Sequence, residues 1–191
     1  MLCSRYQYGH RMTQRLSREE FRRWAESQTQ RYERMAGEPV AMAPERMIHI
    51  RLKSRVWLAL DRALRAAGLE CEAIADGATV EVDEQTDYEP DALVNCGPRL
   101  GPDAVVATNP VIVVEVLSPT TQSIDSSDKL ADYFRVPSIQ HYLIVRAKRR
   151  EIIHHARLGA DIVSRAINIG AIRMDPPGIS IDIAEVYAGT D

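Results

Sequence analysis

The chain has 191 residues, of which 45% are hydrophobic and 27% are charged. This length and composition suit one soluble domain with its own core and exclude wholesale disorder. With 24 basic and 27 acidic residues the formal net charge is −3, which excludes a generally basic, histone-like protein. No uncharged apolar run approaches the roughly 18 residues that a membrane-spanning helix needs.

The cysteines and the N-terminal segment bear on the cellular location of the protein. Cys3, Cys71 and Cys96 are odd in number and widely spaced, and no CxxC pair occurs, so we expect neither a disulfide framework nor a structural zinc site. The Arg-rich N-terminus lacks the apolar core of a secretory signal, and Glu19 and Glu20 argue against a transit peptide. We therefore expect a cytoplasmic protein without a membrane partner.

The N-terminal third contains two helical patterns. Residues 1–11 show no periodicity and are predicted to be a disordered tail, which leaves a single domain over 12–191. Ser17 and Glu20 fit a capping box and predict a short helix at 17–27. A strand is expected at 40–42, and the longest helical pattern runs over 45–67 and ends at Gly68.

The remainder of the chain favours strands. Two strands are expected around the turn Asp76-Gly77, and the run VIVVEVL at 111–117 predicts a strand that is buried on both faces. A helix is expected at 126–135, with Asp125 or Ser126 as its N-cap. The two strands around that turn are 71–75 and 78–83, and further strands are expected at 91–95, 141–145, 151–156, 161–167 and 179–183, the last of which could also be a closing helix. This order predicts an α/β or α+β fold, a mixed β-sheet flanked by helices in one domain.

Charge is strongly segregated along the chain. Residues 70–115 contain eleven acidic side chains against one arginine, whereas the first 35 residues contain eight arginines against four glutamates, and 146–150 form a second basic segment. Lysine occurs only at positions 53, 129 and 148. A lysine beside a carboxylate cluster is therefore of interest, because lysine and arginine are not chemically interchangeable.

Glu115 lies inside the most apolar strand of the chain. Strand side chains alternate, so Val111, Val113, Glu115 and Leu117 share one face. An unpaired carboxylate there costs several kcal/mol, which leaves three interpretations: an ion pair with an arginine at the edge of the core, a strand end that reaches water, or a divalent metal shared with Asp91.

Several motifs together resemble one family. The motifs are PDALV at 90–94, VVEVLSPT at 113–120 and DxxxKLxxY at 125–133, preceded by YExxxGE at 32–38 and MxP at 42–44. Their combination resembles the Uma-type restriction endonuclease-like family of the PD-(D/E)xK nuclease superfamily, over about residues 16–186. The resemblance implies a restriction endonuclease-like fold and a metal-dependent DNA endonuclease.

The resemblance also implies the active-site residues. Asp91, Glu115 and the main-chain carbonyl of Val116 would bind Mg²⁺ or Mn²⁺, which prefer oxygen ligands. The superfamily lysine would follow Glu115 by two residues, but that position is Leu117. Lys129 from the next helix is the substitute that the family implies, and Tyr133 lies one helical turn further on the same face. Without the resemblance, Lys129 would be interpreted as a solvated helix lysine paired with Asp125 or Asp128.

The remaining implied residues are auxiliary or contact DNA. Glu33 matches a glutamate that the family's first helical region places beside the metal, His49 matches a histidine at the start of the long helix, and Asp125 belongs to the DxxxK motif. Arg18, Arg22 and Arg149 are the candidates for contact with the phosphates of DNA, expected to be double-stranded. A homodimer is implied only by analogy with the superfamily. The alternative function is a nuclease-like fold without turnover that binds nucleic acid or acts as a scaffold.

Overall fold

The computed structural model of the chain describes residues 15–117 and 126–190. The predicted tail at 1–11 and the candidate residue Asp125 lie outside these ranges. Four helices are described: α1 (Arg18–Ala25), α2 (Met47–Ala67), α3 (Ser126–Tyr133) and α4 (Ile183–Val186). The described strands are β1 (Tyr32–Met35), β2 (Glu38–Ala41), β3 (Cys71–Ala75), β4 (Val80–Glu81), β5 (Asp87–Tyr88), β6 (Ala92–Cys96), β7 (Pro110–Leu117), β8 (His141–Arg146), β9 (Glu151–Leu158), β10 (Asp161–Ile167), β11 (Ala171–Met174) and β12 (Ile179–Asp182).

A mixed six-stranded sheet forms the centre of the fold. Its strand order is β10-β9-β8-β7-β6-β3. Strands β7 and β8 are parallel, with α3 in the connection between them, and the other neighbours pair antiparallel. A four-stranded sheet (β2-β1-β5-β4) and a two-stranded sheet (β11-β12) complete the described structure. The predicted α/β class with a mixed sheet flanked by helices is confirmed.

The predicted alternation of β7 divides the core into two clusters. Ile112, Val114 and Val116 pack in the cluster that contains the apolar face of α2, whereas Val113 packs with Tyr133 of α3 in the second cluster. Val111, predicted to share the face of Val113, packs instead in the α2 cluster at the start of the strand. Both faces of β7 are buried. Glu115 has the same parity as Val113 and so faces the α3 side of the sheet.

The predictions of the short helix α1 and the long helix α2 agree with the structure. Ser17 and Glu20 form the capping box of α1, and α2 ends at Gly68, whose φ of 63° is the left-handed conformation that glycine adopts without strain. Helix α2 buries Leu52, Val56 and Leu60 against the sheet, because these residues recur every four positions and share one face of the helix.

Several elements differ from the sequence predictions. The strands on either side of Asp76-Gly77 do not pair with each other: β3 pairs with β6, and β4 pairs with β5 in the smaller sheet. Strands β1, β5 and β11 were not predicted, because two to four residues carry too little alternation to stand out from a loop.

The expectation that no disulfide forms was wrong. Cys71 and Cys96 are disulfide-bonded. They occupy directly opposite positions of the antiparallel β3–β6 pair, a proximity that a sequence separation of 25 residues does not reveal. The cysteine argument for a cytoplasmic location therefore fails, and that location stays a prediction. Within the described ranges, no helix combines the length and the apolar character needed to cross a membrane.

Candidate active site

Three carboxylates from three different strands or strand starts line one cleft. Glu33 lies on β1, Asp91 immediately precedes β6, and Glu115 lies on β7. The cleft has a volume of about 250 Å³, and each of the three residues is only 8% exposed. The fold therefore gathers carboxylates that are up to 82 positions apart in sequence (Glu33 to Glu115), and the pairing of β6 with β7 brings Asp91 beside Glu115.

Asp91 is fixed by the backbone of β7. Its Oδ2 accepts a hydrogen bond of 2.6 Å from the main-chain N–H of Val116. The next residue, Ala92, pairs with Val114 across the two strands. The amide group of Val116 thus holds the aspartate in place beside Glu115, while the role of its carbonyl as a metal ligand stays a prediction.

Lys129 lies between two of the carboxylates. Its Nζ is 3.0 Å from Glu33 Oε1 and 3.1 Å from Glu115 Oε1, and the side chain lies over the Tyr88 ring. Tyr133, one turn further along α3, donates a hydrogen bond of 2.7 Å from its hydroxyl to Glu115 Oε1. Lys129 is only 6% exposed, so the interpretation of it as a solvated helix lysine was wrong.

The environment of Glu115 raises its pKa to about 7. Burial is the largest cause, because it disfavours the charged carboxylate. Lys129 and the Tyr133 hydroxyl lower the pKa, but the negative charges of Asp91 and Glu33 raise it. Of the three interpretations of Glu115, direct exposure to water is excluded by its burial, and the ion pair exists with a lysine rather than with an arginine.

A second lysine, which the sequence motifs did not assign to the site, reaches the cleft from α2. Lys53 Nζ is 2.8 Å from Asp91 Oδ1 and 3.1 Å from Asp76 Oδ2, and it also contacts the Glu45 carboxylate. Burial lowers the pKa of Lys53, but the carboxylates, Asp91 foremost, outweigh burial and raise it well above its ordinary value. Two signals could have found this residue: the rarity of lysine in the chain, and a position three residues before the core residue Val56.

The auxiliary candidates also meet at the cleft. Glu33 accepts a hydrogen bond of 3.0 Å from the main-chain N–H of Glu89, but it lies on strand β1 and not in a helix, which corrects the expected local structure. His49 lies in the first turn of α2 and lines the cleft. Its Nε2 is buried and makes no hydrogen bond with the parts of the chain that the structure describes. Leu117 lines the same cleft, as its position two residues after Glu115 predicts.

The three arginines predicted to contact DNA have different environments. Arg18 pairs with Asp87 at 2.9 Å and Arg22 pairs with Glu81 at 2.6 Å. Arg149 is exposed in the turn between β8 and β9, and this turn begins beside the end of β7, where the N–H of Ala147 donates to the Leu117 carbonyl at 3.2 Å. Contact with DNA stays a prediction for all three.

The donor types of the cleft fit a hard divalent cation, but their arrangement is not that of a preformed metal site. Glu33, Asp91 and Glu115 supply the carboxylate oxygens that Mg²⁺ and Mn²⁺ prefer. Across residues 15–117 and 126–190, however, no group of three or more His, Cys, Asp or Glu side chains is placed to hold a metal ion. Two ammonium groups, of Lys53 and Lys129, occupy positions among the carboxylates instead.

Comparisons with known proteins agree with this architecture. A curated relative, the uncharacterized protein slr1290 of Synechocystis sp. (strain ATCC 27184 / PCC 6803 / Kazusa), is 29% identical over 182 residues, which cover 92% of this chain and 93% of the relative. A crystal structure from Anabaena variabilis ATCC 29413, described as a putative nuclease belonging to DUF820, has the same fold. It superposes with a TM-score of 0.70 at 12% identity and covers 92% of this chain and 99% of its own.

A family model matches most of the chain directly. Residues 18–178 match the family described as "Uma2: Putative restriction endonuclease". This range contains Glu33, Asp91, Glu115 and Lys129, four of the residues that line the cleft, and it confirms the family that the sequence motifs resemble. The chain therefore belongs to the Uma2 family.

Proposed function

We propose that this protein is a divalent-metal-dependent endonuclease that hydrolyses phosphodiester bonds of double-stranded DNA at the cleft around Glu115. The observation that carries the proposal is the position of Lys129. The superfamily's strand lysine is replaced by Leu117, yet an ammonium group still lies 3.1 Å from Glu115 Oε1 because α3 supplies it from the next helix. The membership of the Uma2 family supports the same activity.

The residues of the cleft divide into metal ligands and groups that act on the phosphate. Asp91, Glu115 and the Val116 carbonyl would hold Mg²⁺ or Mn²⁺, with Glu33 as an auxiliary carboxylate. Such an ion polarises a phosphoryl oxygen and lowers the pKa of an attacking water. Lys129 holds Glu33 and Glu115 in position and stabilises the negative charge that develops on the phosphate, while the Tyr133 hydroxyl orients Glu115.

The chemistry is a displacement at phosphorus. The oxygen of water forms a bond to phosphorus, the bond from phosphorus to one ester oxygen breaks, and a proton passes to the departing alkoxide. Arg149 lies in the exposed turn between β8 and β9, which begins beside the end of β7. It would bind the DNA backbone near the cleaved phosphate, since arginine binds phosphate through its planar guanidinium. His49 is a further group that faces the cleft and could contact the substrate.

The test is cleavage of supercoiled plasmid at low salt with Mg²⁺ or Mn²⁺. We expect wild type to nick or linearise the plasmid, and Glu115→Gln to lose roughly a hundredfold or more, as is typical when a charge-stabilising group is removed from an active site. Glu70→Gln is the matched control, because Glu70 is an exposed glutamate outside the cleft. No cleavage by wild type, or equal cleavage by Glu115→Gln, overturns the proposal.

One observation favours a second function, a nuclease fold that binds nucleic acid or serves as a scaffold without turnover. Both buried lysines neutralise the carboxylates that a metal would need. A metal that binds only the folded protein must raise its melting temperature. If Mg²⁺ and Mn²⁺ at millimolar concentration leave the melting temperature and the plasmid unchanged while DNA is still retained, the scaffold function holds.

A further inference from the structure

Lys53 joins the buried carboxylate Asp91 of the cleft to two more exposed carboxylates, Glu45 and Asp76, which we call the rim carboxylates. Its Nζ contacts Asp91 Oδ1 at 2.8 Å and Asp76 Oδ2 at 3.1 Å, and Glu45 is its third partner. The Asp91 side chain is 10% exposed, whereas the side chains of Glu45 and Asp76 are 28% and 31% exposed. One ammonium group therefore bridges a buried carboxylate and two carboxylates that are in contact with solvent.

The two oxygens of Asp91 have different partners. Oδ2 accepts from the Val116 amide at 2.6 Å, a neutral donor that belongs to the fixed backbone of β7. Oδ1 is paired with the ammonium group of Lys53, which carries a full positive charge on a flexible four-carbon stem. A cation that binds Oδ1 has to share this oxygen with the Lys53 ammonium group, and a cation on the second lone pair of Oδ2 lies only the width of one carboxylate from it.

The rim carboxylates can keep the Lys53 ammonium group paired when it leaves Asp91. If the ammonium leaves Asp91, it stays within reach of Glu45 and Asp76, so its charge is not stranded in the interior. The carboxylates paired with Lys129 in the described structure, Glu33 and Glu115, are both buried. The carboxylate partners of the two lysines thus differ in their exposure to solvent.

We propose that Lys53 is a tethered cation that competes with the divalent metal for Asp91 and so sets the metal affinity of the site. This inference rests on the metal-dependent function proposed above. Two positive groups on one carboxylate oxygen repel each other, so metal binding drives the Lys53 ammonium toward Glu45 and Asp76. Lys53 is a positioning residue here: it acts on the metal through Asp91 and does not contact the reacting phosphate.

The first test measures Mn²⁺ binding by titration calorimetry without DNA. We expect Lys53→Met to bind Mn²⁺ about tenfold or more tightly than wild type, since one competing charge is removed. Arg51→Met is the matched control: it removes one positive charge from the exposed side of the same helix and should leave the affinity within twofold. Glu115→Gln reports independently on the metal site itself.

The outcomes separate the two proposals. If Glu115→Gln weakens Mn²⁺ binding while Lys53→Met leaves the affinity unchanged or weakens it, the competition by Lys53 is overturned and the proposed function stands. If Arg51→Met tightens binding as much as Lys53→Met, a general charge effect replaces the competition. If no variant and no wild type binds Mn²⁺ at millimolar concentration, both proposals fail.

A second test needs only the wild-type sequence at positions 53 and 129, and so does not depend on whether Lys53→Met folds. The chain contains three lysines, so protein labelled with ¹³C at the lysine ε carbon gives three signals, and Lys148→Arg identifies the exposed one. We expect Mg²⁺ to shift both remaining signals, because Lys129 adjoins Glu115 and Lys53 must leave Asp91. A response from one buried lysine only, or from neither, overturns the exchange at Lys53.

Discussion

The two lysines in the cleft perform different electrostatic tasks. Lys129 comes from α3 and neutralises two buried carboxylates, Glu33 and Glu115. Lys53 comes from α2 and joins the single buried carboxylate Asp91 to two half-exposed ones at the rim. A buried charge is costly unless it is paired, so the Lys129 contacts are indispensable to the buried carboxylates on the α3 side of the sheet, whereas the Lys53 contacts can be exchanged.

The largest expected effect comes from removing Lys129. Lys129→Met leaves Glu33 and Glu115 buried without a cation, which costs about 3–5 kcal/mol in the free energy of unfolding, the usual loss when one partner of a buried pair is removed. Lys53→Met should cost less, about 1–3 kcal/mol, because it strands only Asp91. Urea unfolding of both variants measures the difference.

Two further variants check that result. Lys148→Met is the control, because Lys148 is exposed in the β8–β9 turn and its loss should stay within about 0.5 kcal/mol. The double variant Lys129→Met with Glu115→Gln removes the stranded charge together with its partner, so it should recover part of the lost stability. Equal losses for Lys129→Met and Lys53→Met would refute the division of tasks between the two lysines.

The next effect contrasts Glu115 with His141 and His154, which lie on the other face of the sheet. The pKa of His154 is lowered to about 4, chiefly by burial and then by the positive charges of His141, His155 and Arg165. His141 Nδ1 and His154 Nε2 share one hydrogen bond of 2.9 Å, in which one ring must donate and the other accept, so the pair resists full protonation.

The two regions should give opposite dependences of stability on pH. The folded protein binds more protons than the unfolded chain at Glu115 between pH 4.5 and 7, so this residue makes stability fall as the pH rises. At His154 the folded protein binds fewer protons between pH 4 and 6.5, so this residue makes stability rise with pH and lose that contribution as the pH falls. In wild type the two trends partly cancel where the windows overlap.

Single substitutions separate these trends. As the pH rises from 4.5 to 7, wild type should lose about 2 kcal/mol of its free energy of unfolding through Glu115, because ionisation of this carboxyl group opposes folding. Glu115→Gln lacks the group and should not show this loss. His154→Gln should lack the decrease in the free energy of unfolding that His154 causes as the pH falls from 6.5 to 4. The measurement is the free energy of unfolding in urea at half-unit pH steps, and a Glu115→Gln curve parallel to that of wild type would contradict the raised pKa of Glu115.

The sequence predicted the Lys129 side of the cleft better than the Lys53 side, for a physical reason. Alternation along β7 placed Glu115 on one face with Val113 and Leu117, and the family resemblance supplied Lys129, which lies only fourteen residues further along the chain. Lys53, in contrast, meets Asp91 only because α2 packs on the sheet that contains β6. Helical periodicity can place Lys53 on the buried side of α2, but it does not reveal which carboxylate the side chain meets.

Errors elsewhere have the same origin. The Cys71–Cys96 disulfide depends on the pairing of β3 with β6, and Glu33 reaches the cleft from a strand of four residues whose partner β5 follows more than fifty positions later. Non-local strand pairing was therefore the part of the fold that single-sequence patterns could not supply, although the fold class and four of the residues that face the cleft followed from the motifs.

The smallest expected effect concerns the hydroxyl that orients Glu115. Tyr133 donates to Glu115 Oε1 at 2.7 Å, and Tyr88 donates to Asp132 Oδ2 at 2.6 Å. The two tyrosines are both almost fully buried and belong to the same apolar cluster, so they form a matched pair. Tyr133→Phe and Tyr88→Phe should each cost about 1–2 kcal/mol in the free energy of unfolding, because each removes one hydrogen bond to a charged acceptor.

Only one of the two substitutions should change plasmid cleavage. Loss of the Tyr133 hydroxyl removes a contact that lowers the pKa of Glu115, so the carboxylate becomes harder to ionise and Tyr133→Phe should need a higher pH to reach its maximal rate. Tyr88→Phe keeps the ring under Lys129 and leaves Glu115 untouched, so its pH profile should match that of wild type. If both variants have the same pH profile of cleavage, the Tyr133 hydroxyl does not influence the ionisation of Glu115. Tyr133 would then contribute to stability alone, as Tyr88 does.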